Sequence, residues 1–129
     1  MALGPLDEET YVKIVMVVFG VYALQMLLVP GKMVTDHFDA PATPLLKFWI
    51  RGESVPMLLL LYVMYTELSP ETNFTVSLLY STAVAVIYPF NAKFGYATDG
   101  KLPVKYPMHY VPEMLCGGLT AAGMALKFM

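Results

Sequence analysis

Few residues in this chain can do chemistry, and their placement matters more than their number. Gln25, Arg51, Glu53, Tyr88, Asn91, His109 and Glu113 are polar or ionisable side chains near the ends of long apolar runs. If those runs are successive antiparallel helices in a membrane, these side chains reach the same leaflet and the other leaflet stays bland. An ionisable group within hydrocarbon is costly and normally faces the protein interior in a pair. Arg51 and Glu113 fall at comparable depth, so they are expected to pair and lock the bundle, with Gln25 or Tyr88 completing the hydrogen bonds. The same cluster can instead head a pocket for a quinone, sterol, lipid or pigment. Both readings stay open on the residues alone.

His109 and Glu113 are four apart and share a helix face. Such a pair supplies two metal ligands where a site usually needs three or four, so no metal centre is expected. Magnesium in a chlorophyll accepts nitrogen or oxygen donors, which makes His109, Glu113, Gln25 and Asn91 candidate pigment ligands. The cofactor candidates are therefore chlorophyll, carotenoid or a bound lipid, with none required. His37 stands between Asp36 and Asp39, a weak cation site or an ordinary solvated loop. The single Cys116 excludes an internal disulfide and a cysteine-rich metal site. No Gly-x-Ser-x-Gly elbow and no glycine-rich phosphate loop occur, so the chain is not expected to be an enzyme.

The elements that must carry these residues follow from composition. Apolar residues make up 57 % of the chain and charged residues 14 %, against about 25 % charged in soluble domains. A chain of 129 residues is one domain and too small to hide that much apolar surface inside itself. The expectation is an all-α integral membrane four-helix bundle, solvated by lipid, with spans at about 8–29, 44–66, 70–90 and 107–127. Asp7 caps the first span, with Glu8 and Glu9 in its first turn, and Pro30-Gly31 stops it. Thr43-Pro44 and Ser69-Pro70-Glu71 are cap-plus-proline starts for the second and third, and Pro107 opens the fourth. A bend is expected near Gly52 and Pro56, because Pro56 cannot bond to the Gly52 carbonyl. The second and third helices, joined by a few residues, are expected to form a tight antiparallel hairpin.

Four spans place both termini on one side. That side carries Lys13 and Lys127 against Asp7, Glu8, Glu9, Glu67 and Glu71, while the longer loops carry Lys32, Lys47, Arg51, Lys93, Lys101 and Lys105. The positive-inside rule then sends the loops to the cytoplasm, stroma or matrix and the termini to the lumen, periplasm or intermembrane space. The acidic start, MALGPLDEETY, has neither a basic n-region nor an Arg/Ser-rich stretch, so no signal or transit peptide is expected. Net charge is −2, with no basic patch for nucleic acid. On the fourth helix Gly117, Ala121 and Ala125, with Gly118 and Ala122, form a small-residue face for close packing within the bundle or against another subunit. Trp49 and the tyrosines suit an interfacial aromatic belt.

A first helix ending in LLVPGKMVTDHF, a proline-rich link and then FWIRGESVPMLLLLYVMY resembles the small four-helix membrane proteins of the DoxX-like group. The resemblance implies a four-helix fold and association with membrane oxidoreductase complexes or quinol chemistry, and no catalytic residues. The repeated acid-and-histidine helix of light-harvesting antenna proteins is not present. With no catalytic motif, tyrosine-rich loops and a small-residue face, the expected role is a non-catalytic accessory subunit of a large energy-converting complex, photosynthetic or respiratory. Its partners would be membrane lipids and other subunits, in a thylakoid or mitochondrial inner membrane. The alternative is a membrane protein or enzyme that binds a small lipophilic molecule in a polar-headed pocket.

Overall fold

The computed structural model describes residues 4–129. The first three residues of the acidic N-terminal stretch lie outside the described residues. The architecture is all-α: α1 (Glu8–Leu28), α2 (Pro30–His37), α3 (Pro44–Thr66), α4 (Pro70–Ile87), α5 (Pro89–Phe94) and α6 (Tyr110–Phe128). Among the described residues, extended pairing is limited to an antiparallel bridge between Phe38 and Val104.

Local chemistry sets the starts of the long helices. Asp7 accepts from the Thr10 amide at 2.7 Å, and Glu8 and Glu9 sit in the positively polarised first turn of α1. Thr43 Oγ1 accepts from the Leu46 amide at 3.2 Å and Ser69 Oγ from the Thr72 amide at 3.3 Å, each followed by proline at the first helical position. The fourth start differs from expectation. Residues 106–109 make a turn, in which the Pro107 carbonyl accepts from the Tyr110 amide at 3.0 Å, and α6 begins only at Tyr110.

Two short helices were not anticipated. Pro30 ends α1, yet it also opens α2, because its fixed φ and missing N–H suit a first helical position. An ion pair between Lys32 and Asp36 at 2.9 Å braces that turn and holds the Asp36 carboxyl below its ordinary value. Pro89 does the same for α5, which ends at Gly95 with φ 71°; a side chain there would strike the Gly100 backbone. The stretch expected as the end of the third helix is thus a break at Tyr88 followed by α5.

Helix α1 is the hub. Tyr11, Val15, Phe19 and Ala23 recur every four residues along its buried row and meet α3, α4 and α6. Helices α4 and α6 pack together through Phe74, Ala85, Cys116, Leu119 and Leu126. Helix α3 lies against α1, with Leu61 beside Gly20 and Met64 buried. The expected tight packing of the second and third helices is not found. Asn73 Nδ2 donates to the Met64 carbonyl at 2.8 Å near the shared turn, and beyond it α3 and α4 diverge, since α3 follows α1 instead.

Two stretches, Glu8–Leu28 and Pro70–Phe94, are long and apolar enough to cross a membrane. Only 22 % and 33 % of their most apolar windows are buried, whereas the core helix of a soluble protein is mostly enclosed. Val17, Leu59, Leu79 and Met114 are 65 %, 60 %, 64 % and 73 % exposed, one on each long helix. Helices α3 and α6 have the length to span, but Lys47, Arg51, Glu53, Glu113 and Lys127 dilute their apolar character.

Candidate functional site

The divergence of α3 from α4 opens a cleft of about 900 Å³. Its α1 floor is Phe19, Tyr22 and Met26; Met33, Val34 and Phe38 of the α2 region close one end. Leu46, Ile50, Glu53 and Met57 form the α3 wall, and Tyr80, Ala83, Val84, Ile87 and Tyr88 the α4 wall. Cys116 of α6 reaches the floor, and Leu102 and Pro103 complete the rim. The size is that of a pocket enclosing a drug-sized ligand, and the lining is mostly apolar with a few polar groups, the usual composition of such sites. Glu53 is the one charged lining residue, and no hydrogen bond or ion pair reaches its carboxylate among the described residues. The Tyr22 hydroxyl is buried without a hydrogen-bond partner. Phe19 and Tyr80 meet edge to face at 4.7 Å, fixing both rings against the cleft.

The rim is held by backbone bonds. The Asp39 amide donates to the Pro103 carbonyl and the Lys105 amide to the His37 carbonyl, both at 2.7 Å. Lys105 Nζ donates to the Thr35 carbonyl at 2.5 Å, and Tyr96 donates to the Val86 carbonyl. These bonds tie the 95–109 segment over α2 and α4.

A second polar group lies beside the cleft. Glu113 is 7 % exposed and accepts from the Tyr106 hydroxyl at 2.8 Å, with Lys93 Nζ 3.7 Å away. Partial burial of the ring, then the bond to Glu113, hold the Tyr106 phenol above its ordinary 10.0. His109 is fully buried, with Nε2 3.2 Å from the Pro89 carbonyl and Nδ1 without a partner. The rings of Phe38, Tyr88, Tyr106 and His37 enclose it at 5.5–6.3 Å. Asn91 Oδ1 accepts from the Ala97 amide at 2.7 Å and so anchors the loop after α5.

The expected polar cluster is therefore divided. His109 and Glu113 stand at the start of α6, where Lys93 and Tyr106, which sequence reasoning left out, meet the Glu113 carboxylate; Asn91 lies on α5 and holds the Ala97 amide instead. The expected Arg51–Glu113 pair is not formed. Arg51 Nε donates to the Leu27 carbonyl at 3.1 Å and caps the C-terminal end of α1, where a cation meets unpaired carbonyls. Glu113 takes its cation from α5 because α5 turns Lys93 towards α6. Glu53 and Tyr88 line the cleft, while Gln25 lines a separate groove of about 340 Å³ among α1, α2 and α6. His37 is buried, and its Nδ1 lies 3.0 Å from the Met33 carbonyl. No group of three or more potential metal ligands occurs among the described residues.

The small-residue face of α6 is also redistributed. Gly117 packs on the Phe90 ring, but Gly118 has nothing within 4 Å and Ala121 is exposed; Ala122 and Ala125 are half-buried. The closest approach is at Gly123, which the four-residue spacing missed, where the Tyr11 ring and Leu78 fill the place of a side chain. Comparison with protein families, with curated proteins and with solved structures gives no match to this chain, so its function is argued from the cleft and its chemistry.

Proposed function

We propose that this chain is a four-span integral membrane protein that holds a lipophilic small molecule in the cleft between α3 and α4, without catalysis of its own. The cleft carries the reading: about 900 Å³ of apolar and aromatic lining opens between two helices that share a turn and do not pack. In lipid such a gap fills with an apolar molecule, since a void has no partner atoms for its walls. A polar head on such a molecule would lie beside Glu53, the charged lining residue. Ala83 lines the α4 wall and is exposed, so Ala83→Trp fills the cleft without touching the core. Mass spectrometry of an organic extract from purified protein is expected to show one lipophile in near-stoichiometric amount, lost in Ala83→Trp. The same extract from a folded Ala83→Trp protein would overturn the reading.

A second reading is favoured by the outer face of α6, where Gly118 and Ala121 leave room for another helix to approach closely. On it, the chain is an accessory subunit of an energy-converting complex in a thylakoid or mitochondrial inner membrane, its termini on the lumenal or intermembrane-space side. The companions found on mild native isolation test this; recovery of a lone monomer removes it.

A further inference from the structure

We infer that the α3–α4 cleft takes a cationic amphiphile, an apolar chain bearing an ammonium head that pairs with Glu53. The inference rests on the lipophile-binding reading above and deepens it. Glu53 is the cleft's only charged lining residue, and its carboxylate has no hydrogen bond or ion pair among the described residues. Its neighbours one turn away on α3 are Trp49, Ile50, Pro56 and Met57, so the helix itself offers no cation. The nearby Arg51 is turned to the α1 carbonyl of Leu27. Glu53 is exposed at the edge of the cleft, so its carboxylate is open to a cation that enters there. The surroundings select the same charge. Phe19, Tyr22, Phe38, Tyr80 and Tyr88 line the cleft with aromatic rings, whose faces attract cations, most strongly out of water. An anionic head meets repulsion from Glu53, and a neutral head offers it a hydrogen bond at most and no opposite charge. Arg51 marks the level at which α1 ends. Glu53 therefore stands near the interface, where an ammonium head keeps part of its hydration while its chain follows Met57 and Ala83 inwards.

The test uses the full chain in a non-ionic detergent and two probes with the same tail, hexadecyltrimethylammonium and hexadecanol, each at trace level. The quaternary head donates no hydrogen bond, so its binding reports charge and ring contacts. The cation is expected to bind about tenfold more tightly than the alcohol, the scale of one partly exposed charge pair with cation–π support. Glu53→Gln is expected to remove that preference and leave the alcohol's affinity within about twofold. No hydrogen bond or ion pair reaches the carboxylate among the described residues, so the variant's melting temperature should match the parent's. Equal binding of both probes by the parent, or a preference that survives Glu53→Gln, overturns the inference while the cleft reading stands, provided Ala83→Trp abolishes binding. Binding of both probes unchanged by Ala83→Trp overturns the inference and the cleft reading together.

Discussion

At Gly123 the absence of a side chain decides how close three helices come. A Cβ there would lie 2.5 Å from the Tyr11 hydroxyl oxygen and 2.7 Å from Leu78 Cδ1, and Tyr11 also donates to the Leu119 carbonyl at 2.9 Å. Gly123→Ala is expected to lower stability by about 1–3 kcal/mol through overpacking. Gly118→Ala, with nothing nearby, should be neutral; thermal melts in detergent compare the two. Glu113 tests buried-charge chemistry at the same scale. Tyr106→Phe leaves its carboxylate with Lys93 alone at 3.7 Å, at an expected cost of about 1–3 kcal/mol. The phenol's folded value lies above its ordinary 10.0, so the stabilisation is fully present below pH 10.0 and is lost as pH rises through the folded value. A pH series of melting temperatures on parent and variant should converge in alkali.

Capping and proline chemistry act on whole elements. The bond from the Thr10 backbone amide, then its side-chain hydroxyl, hold the Asp7 carboxyl below its ordinary 3.8. The stabilisation of the first turn of α1 is therefore present above pH 3.8 and disappears as pH falls through the lower folded value. The protection of the Thr10 amide, its exchange compared with the intrinsic rate at the same pH, is expected to fall on that acidification. Asp7→Ala should lower it above pH 3.8 and match the parent once the cap is protonated. The proline starts illustrate how a local rule can be read in two directions. Pro44 and Pro70 follow side-chain caps and begin helices where the sequence placed them. Pro30 and Pro89 follow Val29 and Tyr88, which carry no side-chain cap bond, and the same proline that ends one helix begins the next. Continuing helix rather than loop after Pro89 brings Lys93 to Glu113.

For the whole molecule, the arrangement turns on the unequal packing of α1. It supports α3 on one side and the α4–α6 pair on the other, and the gap between those two groups is the cleft. The four-span reading has a direct topological consequence. The α3–α4 turn holds Glu67 and the loop before α6 holds Asp99, and both are exposed. Native Cys116 is 1 % exposed and should stay silent to an impermeant maleimide. Glu67→Cys and Asp99→Cys are expected to label from opposite faces of a sealed vesicle. Labelling of both from one face would remove the four-span arrangement, and with it the lipid-facing cleft.

The sequence by itself determined the all-α class and the starts at Asp7, Thr43-Pro44 and Ser69-Pro70, and it marked Glu8–Leu28 and Pro70–Phe94 as apolar enough to cross a membrane. Those features are local: a cap, a proline and a mean composition act within one or two turns. Partner choice was decided only in the tertiary structure. Arg51 meets Leu27 and not Glu113, Gly123 and not Gly118 meets a neighbouring helix, and α3 leaves α4 for α1. Each outcome depends on helix rotation and separation, quantities set by the sum of many small packing contacts and carried by no single residue.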